Sequence, residues 1–296
     1  MRPIDGQTSS GVLRRVTAVN ICVLVRVYNR LADLEVCLEA IRVHWRLHRY
    51  HVVVLSNGRR DGYPLPANLG PRVAMAVECD ASIGHVAGTS RMLLEGIHHI
   101  PGDCDYTVLL EADTWVHTDS VLDRYLALMN VTGAVWASAE WVEKFQSLAV
   151  DCALVRSSFV RDHPEVFEFS AHAEYHVARH LADQRVRFLY MREHMPVHVP
   201  RVMRMFDTGS HGRFRCFPAG AMVTHHIEEL PGGLAEKKQL ANATLGRVEY
   251  AVAGREWVRR EHRRLVWLQR LARLAPRSAW LRPKRRPPAA WFRNGG

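Results

Sequence analysis

Val19-Asn20-Ile21-Cys22-Val23-Leu24-Val25-Arg26-Val27 runs directly into Tyr28-Asn29-Arg30, and the fold is decided by how that stretch is read. An apolar run of this length, rich in β-branched residues, reads as a strand buried on both faces, the kind that parallel sheets contain. Downstream, Leu34, Cys37, Leu38, Ile41 and Trp45 recur at helical spacing between Asp33 and His48. A second strand, His51 to Leu55, then closes on the turn Ser56-Asn57-Gly58. Strand, helix and strand in so short a span form a βαβ unit, which demands a parallel pair and a right-handed crossover.

Working outward, the alternation continues. Arg72 to Val77 reads as a strand, Gly88 to Ile100 as a helix, Tyr106 to Leu110 as a strand and Ser120 to Met129 as a helix. The expected class is therefore α/β, with a doubly wound, mostly parallel sheet. Val135 to Val155 reads as strand-loop-strand and Ala173 to Ala182 as a helix. Pro196 to Gly233 is loop-rich, of the kind that carries ligand contacts. Residues 1–18 form a loose N-terminus, 19–254 the body and 255–296 a tail.

The formal charge of +10 belongs to that tail. From Arg255 onward 13 basic residues face only Glu256 and Glu261, whereas the rest of the chain carries 27 basic and 28 acidic side chains. A neutral body gives no argument for a nucleic-acid-binding fold. The six cysteines form no C-x-x-C pair and read as reduced, mostly buried thiols. No signal-peptide pattern opens the chain and no apolar run approaches a membrane span, so a cytoplasmic protein is expected.

Four pieces carry chemistry, in this order: Tyr28-Asn29-Arg30 after the first strand; Ser56-Asn57-Gly58 with Asp61 behind it; Gly84, Gly88 and Arg91 at a helix entrance; and Val108-Leu109-Leu110 running into Glu111-Ala112-Asp113. Carboxylates at i and i+2 on a strand exit project into the cleft above the sheet. There they suit a hard divalent cation that neutralises a diphosphate. In order and spacing these pieces resemble the inverting family 2 glycosyltransferases and their GT-A relatives, over roughly residues 19–200.

The resemblance implies a GT-A-like fold, a UDP-sugar donor, Mn²⁺ or Mg²⁺, and transfer of a hexose or N-acetylhexosamine to a hydroxyl. It implies that Asp113 binds the metal. Glu111 stands where the family usually has its first aspartate, and either coordinates the metal or contacts ribose or water. By the same resemblance Tyr28 and Asn57 line the uridine pocket and Arg91 approaches the donor. Glu174, the one survivor of the family's acidic pair, becomes the general base. A third metal ligand would come from His198, His225 or His226, and the sequence does not choose among them.

Each piece has a plainer reading. Glu-Ala-Asp also serves as a polar strand exit, Asn-Gly is a common turn, and an acid in a helix's first turn is favoured by the helix dipole. His172, His176 and His180 follow i, i+4, i+8 spacing, which can bind zinc but equally marks a solvated helix face.

In the tail, Trp257, Val258, Leu265, Leu268, Leu271 and Leu274 alternate with arginines as a basic amphipathic helix. It would pack on the body, contact anionic lipid as a peripheral attachment at the inner membrane face, or contact nucleic acid. Only four of the 40 basic residues are lysine, a mark of GC-rich coding sequence. With a compact body, that composition suggests a natural-product acceptor such as an aminoglycoside intermediate. A cell-surface polysaccharide or a lipid-linked acceptor is the alternative. A non-catalytic binding protein on a GT-A-like scaffold is the rival class, which metal-dependent release of UDP would exclude.

Overall fold

The computed structural model describes residues 17–79, 84–139, 146–191, 215–217, 222–224, 233–235 and 237–238. The chain alternates as expected: β1 (Asn20–Val27), α1 (Leu31–His44), β2 (Arg49–Ser56), β3 (Val73–Glu78), α2 (His85–His98), β4 (Tyr106–Glu111) and α3 (Ser120–Thr132). Between β4 and α3 lies a two-residue strand, β5 (Trp115–Val116). Next come β6 (Trp136–Ser138), β7 (Cys152–Arg156), α4 (Ser157–Asp162), a 3₁₀ turn (Pro164–Phe167), α5 (Ala173–Asp183) and β8 (Phe188–Tyr190). The last strands are β9 (Arg215–Phe217) and β10 (Met222–Thr224). Residues 255–296, where the basic helix was expected, lie outside the described residues.

Seven strands form one sheet in the order β3-β2-β1-β4-β7-β6-β8. Parallel pairing joins β3, β2, β1 and β4; β7 runs antiparallel between β4 and β6, and β6 pairs parallel with β8. The expected doubly wound, mostly parallel α/β class is the one observed. A second, three-stranded sheet is ordered β5-β10-β9.

β1 is apolar from Ile21 to Val25 because both of its faces are covered. Ile21, Val23 and Val25 point into a core with Leu34, Ile41 and Trp45. Cys22 and Leu24 point into another, with Leu93, Ile97 and Leu181. Period-two alternation thus divides one run between two cores. Five cysteines (22, 37, 79, 104 and 152) are buried free thiols, as expected. Burial pushes Cys22 and Cys37 up to about 12, which leaves both inert near neutral pH.

α1 stops four residues before the end that its apolar spacing predicts. The buried Asp119 takes the backbone N–H groups of Arg46 and Leu47 and the Tyr50 hydroxyl on one carboxylate oxygen. Arg72 donates to the carbonyls of Ile41 and Trp45. Contacts made 27 to 73 residues away therefore turn the chain out of its helix. No local propensity encodes that.

Beside β5, His117 is 5% exposed, with its ring against the edges of Trp115 and His44. Burial, followed by the nearby His44 and Lys237, pushes its pKa down to about 3. The folded state therefore holds a neutral imidazole, whereas the unfolded chain takes up a proton below about 6.5. The resulting stability is complete above pH 6.5 and is lost as pH falls toward 3. At about 1.4 kcal/mol per pH unit, the loss is on the order of 5 kcal/mol. In denaturant titrations from pH 7 to 4, His117→Gln should flatten much of wild type's decline. Parallel declines in the two proteins would exclude His117 as its source.

Candidate functional site

β2 and β3 lie to one side of β1, and β4 to the other, so the strand order reverses between β1 and β4. Open α/β sheets bind ligands in the crevice at the carboxyl ends beside such a reversal. A cleft of about 380 Å³ lies there, lined by residues 26–30 at and beyond the end of β1, Asn57, three residues of α2 and Glu111-Ala112-Asp113 at and beyond the end of β4.

Two charged pairs cross this cleft. Arg26, on β1 and 2% exposed, sets Nη2 at 3.4 Å from Glu111 Oε1 and donates to the Val150 carbonyl at 2.5 Å. Arg30 Nε lies 3.4 Å from Asp113 Oδ2. Burial, and next the Glu111 carboxylate, push Asp113 up to about 8, against the opposing pull of Lys237 and Arg30. Positive charge beside this pair is therefore insufficient to offset desolvation and mutual repulsion.

Two unmet hydrogen-bonding needs face the same crevice. Among the described residues, Arg26 Nε and Nη1 are buried without an acceptor, and Asn57 Oδ1 is buried without a donor. The approach of Asn57 explains Gly88: a Cβ there would fall 2.0 Å from Asn57 Nδ2. Gly58 is fixed in the same way, because its Cβ would meet the Tyr28 carbonyl oxygen at 2.1 Å. The Tyr28 hydroxyl donates to Asp61 Oδ2 at 2.5 Å, and its ring lies 5.9 Å from that of Tyr63.

Against the Asp113 backbone is Lys237, fully buried, with residues 233–235 and 237–238 helical. Its ammonium donates to Asp33 Oδ1 at 2.5 Å and to the Asp113 carbonyl at 2.6 Å. It also sits 3.9 Å from the centroid of the Trp115 ring. Burial lowers its pKa, with Asp33 and Asp113 opposing.

Of the residues singled out by sequence, Tyr28, Asn57, Glu111 and Asp113 line this one cleft. Arg91 is exposed on α2, and Glu174 is half-buried in the first turn of α5; neither is among the residues lining the cleft. His198, His225 and His226 lie outside the described residues. Sequence reasoning placed Arg30 in the Tyr28-Asn29-Arg30 turn without giving it a role, and missed Arg26 and Lys237. A charged residue inside the otherwise apolar β1 was the available signal for Arg26, since burying a charge needs a partner.

The histidine stripe is not one site. His172 caps α5 in an exposed left-handed conformation, and His176 Nε2 bonds the Glu165 carbonyl at 3.1 Å. Of the three, among the described residues, only His180 joins other ligand-type groups, His163 and Glu165.

No family model matches the chain, and no curated protein matches it. Among solved structures it is similar to the mannosyltransferase PcManGT from Pyrobaculum calidifontis, determined with GDP-Man and Mn²⁺. The identity is 14% and the TM-score 0.46, covering 90% of this chain and 76% of that one. It is also similar to S. aureus TarS 1-349, at 10% identity and a TM-score of 0.39, covering 54% of each chain. Likenesses this distant assign neither donor nor reaction here. The functional reading rests on the cleft.

Proposed function

We propose that the chain is a glycosyltransferase that moves a hexose or N-acetylhexosamine from a UDP-sugar to an acceptor hydroxyl, with a natural product such as an aminoglycoside intermediate as acceptor. One observation carries this reading. The crevice at the β1/β4 reversal combines an i, i+2 carboxylate pair with buried, unsatisfied arginine donors and an unsatisfied asparagine oxygen. Charged and polar groups of those types suit a nucleotide diphosphate and its counterion.

The residues present fit a divalent cation. Asp113 and Glu111 would hold Mn²⁺ or Mg²⁺, because their mutual repulsion is what a dication relieves. Bound there, the metal would neutralise the charge that gathers on the leaving diphosphate. Arg26 would donate to phosphate oxygens, Asn57 would accept from the nucleoside, and Tyr28 with Tyr63 would flank the base. In the transfer, the acceptor oxygen forms a bond to the anomeric carbon. The bond from that carbon to the diphosphate oxygen breaks, its electron pair leaves with UDP, and a general base takes the hydroxyl proton; the family resemblance gives that role to Glu174, which stands outside the residues lining the cleft.

The test is a panel of UDP- and GDP-sugars with the full chain, with and without Mn²⁺. UDP-sugars should raise the Tm by mass action and release UDP only when the metal is present. If no nucleotide sugar either stabilises the protein or is turned over, the reading fails. Glu174→Gln keeps the size of the side chain but removes the base. Single-turnover transfer should fall by about a hundredfold while donor affinity is retained. An undiminished rate, or a product that keeps the donor's anomeric configuration, would remove Glu174 from this role.

A further inference from the structure

Where the 3₁₀ turn packs on α2, α4 and α5, apart from the residues lining the cleft, three elements meet at one point. His163 ends α4, Glu165 lies in the 3₁₀ turn, and His180 projects from the last turn of α5. His163 Nδ1 is 3.1 Å from Glu165 Oε1, and His180 Nε2 is 3.8 Å from the same oxygen. One ligand atom from each residue lies within 4.8 Å of the other two. His180 Nε2 is buried and, among the described residues, has no hydrogen-bond partner.

We propose that His163, Glu165 and His180 form a zinc site, distinct from the cleft, with three protein ligands and a fourth position open to water. The geometry carries the assignment. Bonds from zinc to nitrogen and oxygen of about 2.0–2.1 Å place the ligands of a tetrahedral site roughly 3.3–3.4 Å apart. Two of the three edges, at 3.1 and 3.8 Å, already bracket that value. Imidazole nitrogen with one carboxylate oxygen suits Zn²⁺ rather than Mg²⁺ or Ca²⁺, which prefer all-oxygen sets. Binding replaces the proton shared between His163 and Glu165 and gives the unpartnered His180 nitrogen a partner.

The site would act as a clip. The 3₁₀ turn packs on both α2 and α5, and Ser90 of α2 donates to the Phe167 carbonyl at 2.5 Å. Thr89 and Met92 of the same helix line the cleft. A metal that ties α4, the turn and α5 together therefore braces one cleft wall from behind. His176 takes no part as a ligand through Nε2, which is engaged with the Glu165 carbonyl.

Cobalt(II), a spectroscopic stand-in for zinc, is the probe, added to full-length protein stripped with chelator. One equivalent should give the intense visible bands of a four-coordinate ion, and added Zn²⁺ should abolish them. His180→Gln and the more exposed His163→Gln should each weaken cobalt binding by more than roughly a hundredfold, since even an outer-shell partner contributes 10–100-fold. Asp113→Asn should leave the bands unchanged, which separates this site from any cleft metal. Zn²⁺ should raise the Tm of wild type but not of either histidine variant. Absence of four-coordinate bands overturns the proposal. So does their survival in His163→Gln, the more exposed of the two histidines, with the fold of the variant checked by circular dichroism.

Discussion

Asp113→Asn is expected to cut metal-dependent transfer by roughly a thousandfold, the several kcal/mol that a catalytic metal's charge stabilisation supplies. The side chain changes by one atom and leaves the Asp113 carbonyl, to which Lys237 donates, in place. It removes the carboxyl that burial and Glu111 push up to about 8, a group the folded state without metal holds mostly protonated near neutral pH and that asparagine matches in size and charge. Folded stability without metal should therefore be unchanged or slightly higher. Activity falling without any drop in Tm is the signature, because a structural role would lower both. Metal titrations complete the test: Mn²⁺ should stabilise wild type and leave Asp113→Asn unmoved. Wild-type turnover in the variant at low Mn²⁺ would take Asp113 out of the metal site. Glu111→Gln, at the strand end, should show a smaller loss if that carboxylate meets the ion only through water.

The parts of this fold that were legible in sequence are those in which one strand or helix is long enough to show its period. β1, β2, β4, α1, α2, α3 and α5 all meet that condition, and each was expected within a few residues of where it lies. β5 and β8 have two and three residues and α4 has six, less than two helical turns, too short for alternation or helical spacing to register. The four cleft residues Tyr28, Asn57, Glu111 and Asp113 were legible because each ends a strand, where chain order alone fixes position. Arg26 was hidden inside an apolar run. Its partner Glu111 lies 85 residues away, and only the pairing of β1 with β4 brings the two together. The zinc cluster was half legible: the stripe pointed to α5, but the ligands beside His180 come from an earlier turn rather than from the next turns of its own helix.

Lys237→Met is expected to destabilise the protein by about 3–5 kcal/mol, the usual cost of breaking a buried ion pair by removing one partner. The size follows from Asp33. That carboxylate is 2% exposed in the first turn of α1, where the helix dipole contributes only part of the compensation its charge needs. Lys237 supplies the rest from 204 residues downstream. With the ammonium gone, the Asp33 carboxylate is left buried without its counter-charge, and chemical denaturation should record the loss at pH 7. Pairing the change with Asp33→Leu should recover most of it, since matched apolar replacements of buried pairs are often neutral. The two single effects would then be far from additive. Lys237 also holds the Asp113 carbonyl and covers the Trp115 ring, and the double variant restores neither contact. Stability should therefore return while metal-dependent donor binding stays weak. That split separates a lysine that only fills the core from one that sets the carboxylate-bearing strand exit. If Lys237→Met unfolds at the wild-type denaturant concentration, the lysine is not buried against Asp33. If the double variant binds donor as wild type does, Lys237 has no part in shaping the cleft.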